Sequence, residues 1–151
     1  QNDKEDTTGV SDAADIKTVS VSDLKNGSKV ADTKANAVYK IGKLTKKKGK
    51  VTGGKLTYSA PALKNKKKLV VSGKVKIDGK KFTVTKLANG AFKDCPDLKV
   101  IRLKGKTVLK LTKKTFSGLD HKVTLDVPKS LVKDYSSMID KLGLSGKVRV
   151  K

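Results

Sequence analysis

The chain has 151 residues, 36% of them hydrophobic, 4% aromatic and none Trp; this supports one modest core and argues against a large enclosed active site. Its formal net charge is +22, and the charge is uneven: residues 1–36 carry five Lys against seven Asp or Glu, a net of −2, so residues 37–151 hold +24. Only Arg102 and Arg149 are Arg, so the charge is lysine, which favours diffuse attraction over the bidentate contacts by which Arg reads phosphates and base edges.

Residues 1–34 are polar and acidic, without a sustained period, and read as an acidic linker or partly ordered tail. Within them Ile16, Val19, Val21 and Leu24 offer a short docking strand, Gly27 begins a turn, and Asn26-Gly27-Ser28 fits a glycosylation sequon. The opening QNDKEDTTG is not a basic region followed by an apolar one, so a chain whose secretory signal has been removed is expected.

A single domain is expected over 35–151, with a hairpin cap over 35–83. Tyr39 and Ile41 alternate, and Val51, Leu56 and Tyr58 surround Gly53-Gly54, which reads as a two-residue hairpin turn. Gly49 to Lys55 nearly spells a phosphate-binding loop, but Leu56 stands where Ser or Thr would hold magnesium, and the stretch continues as a strand. Leu69-Val70-Val71 is typical of the apolar runs, far short of a membrane span. In KVKIDGKKFTV, Asp78-Gly79 is a type I′ turn sequence that pairs Ile77 with Lys80 and Val75 with Phe82. Val75, Ile77, Phe82 and Val84 then share one face, and Lys74, Lys76 and Lys81 the other.

From Val84 to Val127 the apolar spacing repeats with a period of 24 residues, matching Val84 with Val108, Leu87 with Leu111, Phe92 with Phe116, Cys95 with Leu119, Ile101 with Leu125 and Leu103 with Val127. The stretch Leu87, then Gly90-Ala91-Phe92-x-x-Cys95-x-x-Leu98-x-x-Ile101, resembles the BspA-like class of bacterial leucine-rich repeats. The second unit departs from that pattern at Thr115, Leu119 and Lys122 and reads as the last one, frayed toward a cap. The resemblance implies an α+β, strand-rich fold: a short leucine-rich-repeat solenoid of about two units (84–127), with an N-terminal β-hairpin cap and a C-terminal helix-strand cap (128–151). It also implies an extracellular or bacterial cell-surface protein of the adhesion kind, and no catalytic residues.

After Pro128, Leu131, Val132, Tyr135, Met138, Ile139 and Leu142 recur at helical spacing, with Ser130 as N-cap and Gly143 as C-cap; the stripe reads as core. Lys147 to Lys151 alternates as a closing strand.

Little in the chain points to chemistry. Cys95, the single cysteine, occupies a wall position of the repeat and reads as packing. His121, the single histidine, stands beside Asp120 and near Ser117, but triads are assembled from separate segments and no oxyanion-forming turn accompanies it. One His and one Cys cannot complete a zinc shell. No enzyme activity, cofactor or metal is expected. The lysine surface points instead to a macromolecular partner, a protein or an acidic glycan or wall polymer, with Lys76, Lys99, Arg102 and Lys104 as contacts on outward strand positions. Nucleic acid is disfavoured by scarce aromatics and Arg, a monomer is expected, and a structural spacer is the alternative.

Overall fold

The computed structural model describes residues 15–151. The strands are β1 (Asp15–Ile16), β2 (Lys29–Asp32), β3 (Ala37–Lys47), β4 (Lys50–Ala60), β5 (Lys68–Val71), β6 (Lys74–Ile77), β7 (Lys80–Leu87), β8 (Val100–Leu103), β9 (Val123–Asp126) and β10 (Val148–Val150), with one α-helix, α1 (Val132–Lys141). They form a six-stranded mixed sheet in the order β1-β6-β7-β4-β3-β2 and a four-stranded sheet in the order β10-β9-β8-β5. All pairs of the smaller sheet are parallel.

This architecture corrects the expected solenoid. The molecule is a strand-rich mixed-sheet fold with a curled half-barrel and one short helix, and the hairpins build its larger sheet instead of capping a repeat stack. Val84 is buried in β7, whereas its counterpart Val108 is 38% exposed, and the second unit offers only an isolated bridge, Lys86 to Lys110, where the first has a strand. Both edges of the parallel sheet, β5 and β10, come from outside the repeats. The 24-residue spacing still governs nearest-neighbour contacts: Phe92 stacks on Phe116 at 5.8 Å, and Ile101 lies beside Leu125 in register. Two units cannot impose a superhelix on a chain whose other segments alternate with period two and close into their own sheet.

The hairpin at Asp78-Gly79 forms with the register read from sequence, both turn residues having positive φ (52° and 76°), and Val75, Ile77, Phe82 and Val84 are buried. The longer hairpin turns elsewhere than expected. Lys48 and Gly49 take the positive-φ positions (51° and 76°) between paired Lys47 and Lys50. Gly53-Gly54 lies within β4, where a Cβ at Gly53 would run into the Lys81 carbonyl oxygen and one at Gly54 into that of Lys43. These glycines permit close strand approach and mark no turn. Register shifts near Val38, Gly42 and Thr45 bend this pair, as bulges do.

Residues 15–34, within the segment expected as an acidic linker or partly ordered tail with a short docking strand, contribute β1 and β2 and bury Ile16, Leu24 and Val30; residues 1–14 of that segment lie outside the described ones. At the other end a 3-10 turn, Lys129–Leu131, precedes α1, so Leu131 and not Ser130 occupies the cap position. Gly143 closes the helix, its amide donating to the Asp140 carbonyl. Tyr135 and Ile139 face the core, and the Tyr135 hydroxyl accepts from the Leu109 amide at 2.8 Å.

A row of rings crosses the interior: Tyr39 against Tyr58 edge-on (6.2 Å), Tyr58 against Phe92 (5.9 Å), and Phe92 on Phe116. All four are at most 1% exposed, yet among the described residues the Tyr58 hydroxyl finds no hydrogen-bond partner. Phe92→Ala should therefore lower unfolding free energy by about 3–5 kcal/mol, while Tyr58→Phe should raise it by about 1 kcal/mol by removing an unpaired buried hydroxyl. Urea denaturation of the two variants checks both, and a destabilised Tyr58→Phe would show that the hydroxyl is satisfied in solution.

Candidate anionic-partner interface

Period-two alternation sends one side of the mixed sheet inward as Val30, Tyr39, Ile41, Leu56, Tyr58, Val75, Ile77, Phe82 and Val84, all buried. The other side is lysine and threonine, and strand register aligns it into rows. One row reads Lys74, Thr83, Lys55, Lys43 across β6, β7, β4 and β3. A second reads Lys86, Thr57, Lys40, Lys29 across β7, β4, β3 and β2. A third begins with Lys76 opposite Lys81 and continues through Gly53 to Thr45. With strands about 4.8 Å apart and same-face residues about 6.7 Å apart along each, the ammonium groups form a two-dimensional lattice. The ion pairs Arg102–Asp126 and His121–Asp120 lie outside these rows.

The four contact residues expected from sequence divide between the sheets. Lys76 lies in β6 and belongs to the lysine lattice. Lys99 is exposed just before β8, with its amide donating to the Lys67 carbonyl. Arg102 points outward from β8 but is paired with Asp126 at 3.5 Å, so its charge is locally neutralised. Lys104 follows β8 and is half-buried. Sequence reasoning missed Lys29, Lys40, Lys43, Lys55 and Lys86. For Lys40, Lys43 and Lys55 the signal is the alternation of Lys with apolar residues through 38–58, which becomes a row only once the turn is placed at Lys48-Gly49; Lys29 and Lys86 join only through strand register.

Cys95 is 2% exposed, and burial pushes its thiol up from its ordinary pKa, disfavouring the reactive thiolate. Among the described residues no three His, Cys, Asp or Glu side chains converge as a metal site. His121 touches Asp120, with Nδ1 3.0 Å from Oδ1. Its Nε2 lies 2.6 Å from the Leu98 carbonyl oxygen, 23 residues upstream. Both nitrogens thus face acceptors, and only the imidazolium supplies two N–H donors. This arrangement holds the loop before β9 and leaves no ring nitrogen for a nucleophile.

Compared with known proteins, the chain matches no family model, no curated protein and no solved structure.

The His121 geometry carries a pH dependence. Its hydrogen bond to Asp120, then that to the Leu98 carbonyl, raise its pKa above the ordinary 6.5, against an opposing effect of burial. A raised folded-state pKa means stabilisation fully present below about 6.5 and lost as pH rises through the folded value. Thermal melts between pH 5.5 and 8.5 should show a melting temperature that falls with pH in the parent and is flatter in His121→Gln. Parallel curves would remove His121 as the titrating group.

Proposed function

We propose that this chain is a non-enzymatic recognition module that binds an acidic glycan or wall polymer outside the cell through the lysine lattice of the mixed sheet. The observation that carries this reading is the facing of like charges across neighbouring strands: Lys76 opposite Lys81, Lys43 opposite Lys55, and Lys29 opposite Lys40. Directly opposed like charges weaken a sheet. Their alignment over five strands makes a surface whose repulsion a multivalent polyanion would relieve. Lysine without arginine matches diffuse attraction to a flexible polymer better than bidentate recognition of a planar group. The extracellular setting rests on the repeat resemblance given above. Lys76 remains a contact in this reading, Arg102 is set aside because Asp126 already holds it, and Lys99 and Lys104 lie beyond the lattice.

The test is binding of a linear acidic polysaccharide at low and near-physiological salt. Lys55→Ser/Lys74→Ser/Lys81→Ser should bind roughly tenfold more weakly than the parent, from about 0.5 kcal/mol per exposed ion pair. A charge-matched control, Lys113→Ser/Lys114→Ser/Lys133→Ser, should lose less than about half its affinity. Equal losses in both triple variants, or binding that disappears at near-physiological salt, would make the charge a general surface property and leave a spacer role in its place.

A further inference from the structure

Where the two sheets meet, a recess of about 370 Å³ opens at the C-terminal ends of β5 and β8. Its floor is a glycine crossing: a Cβ at Gly73 would lie 2.5 Å from the Gly105 Cα, and one at Gly105 would lie 3.1 Å from the Gly73 Cα. The loops after the two strands therefore touch backbone to backbone. Thr83 and Thr107 line the recess, and Lys74, Lys104 and Lys106 complete it, with no carboxylate in the lining among the described residues. Among the described residues the amides of Gly105, Lys106 and Thr107 donate to no backbone carbonyl, leaving three successive N–H donors in the bordering loop. Ammonium groups and hydroxyls gathered around one recess, bordered by amides without a backbone partner, are donors of the kind an oxyanion accepts.

We propose that this recess takes one tetrahedral oxyanion ester, sulfate or phosphate, carried on a sugar residue. The volume lies at the lower end of ligand pockets, about 300–1,000 Å³, so it suits one substituted sugar and not a folded segment. The two threonines supply hydroxyls that both accept and donate, as a sugar ring requires. Lys74 and Thr83 also begin the first lysine row, so the recess opens onto the lattice: a polymer lying along Lys55 and Lys43 would reach it with one residue. This inference rests on the polyanion reading, to which it adds a site that selects the substituent as well as the charge.

The experiment is an amide NMR titration of the full chain with glucose 6-sulfate, glucose 6-phosphate and unmodified glucose, run beside the polysaccharide assay. Saturable shifts centred on Gly73, Gly105, Lys106 and Thr107 with either ester and none with glucose, weakened roughly fivefold in Lys74→Ser/Lys106→Ser, are expected. Comparing the two esters identifies the preferred substituent. Shifts spread over lysines generally, without saturation, would overturn the subsite even if the polymer still binds. Saturable ester binding here together with failure of polymer binding would overturn the lattice reading and, with it, the role of this recess as one of its subsites. Both substituted lysines border solvent, and a parent-like spectrum of the variant ensures that weaker binding reports the recess and not unfolding.

Discussion

The aromatic row Tyr39–Tyr58–Phe92–Phe116 is the contact on which the rest of the structure depends. The chain has six aromatic residues, and four stand in this row, which starts on β3 and β4 of the mixed sheet and ends on the two turns that lead into the parallel one. Aromatic pairs add about 0.5–1.5 kcal/mol beyond the area they bury, and here they join sheets that share no hydrogen-bonded strand. Burial of the Tyr58 hydroxyl, which raises its pKa through desolvation first, is a local cost of keeping that row continuous. Tyr135 ties the remaining element to it indirectly, since its hydroxyl holds the Leu109 amide and thereby the chain between the second turn and the first.

A core of this size has to hold together a surface of +22. The charge is kept outside by the same alternation that fills the inside: in β6 and β7 each buried Val, Ile or Phe is flanked by an outward Lys or Thr. Register then decides whether the charges offset or oppose one another. In the parallel sheet Arg102 meets Asp126, and in the mixed sheet lysine meets lysine. The two faces therefore differ in kind despite similar composition. An anion that binds the folded lattice more tightly than the unfolded chain would shift the folding equilibrium toward the native state.

Legibility from sequence followed the range of the signal. The hairpin at Asp78-Gly79 was readable to the residue pair, since turn chemistry and alternation agree over eleven residues. The 24-residue spacing correctly paired Phe92 with Phe116 and Ile101 with Leu125. It did not determine architecture, because the exposed Val108 shows that a matching apolar residue need not repeat a strand. Gly53-Gly54 misled for a similar reason: glycine at a turn and glycine at a close crossing look alike in sequence, and only the neighbouring Lys81 and Lys43 carbonyls distinguish them. The lysine rows were illegible because a row is a property of register between strands, and Lys29 meets Lys40 only after two separate segments have paired.

The seam at Gly73 and Gly105 joins these arguments. The parallel sheet ends there with Val71 and Leu103 directed into the core, the Lys104 amide donating to the Val71 carbonyl and the Gly73 carbonyl accepting from Val84 of the mixed sheet. One short segment thus finishes one sheet and starts the other, and the absence of side chains at both glycines lets the turn be tight enough to do so. A side chain at either position would push the loops apart and shift Lys74 along β6, displacing the start of the first lysine row. Sheet junction and charged face therefore meet at the same glycine crossing, so a change confined to the seam would alter the arrangement of the surface without touching a single charge.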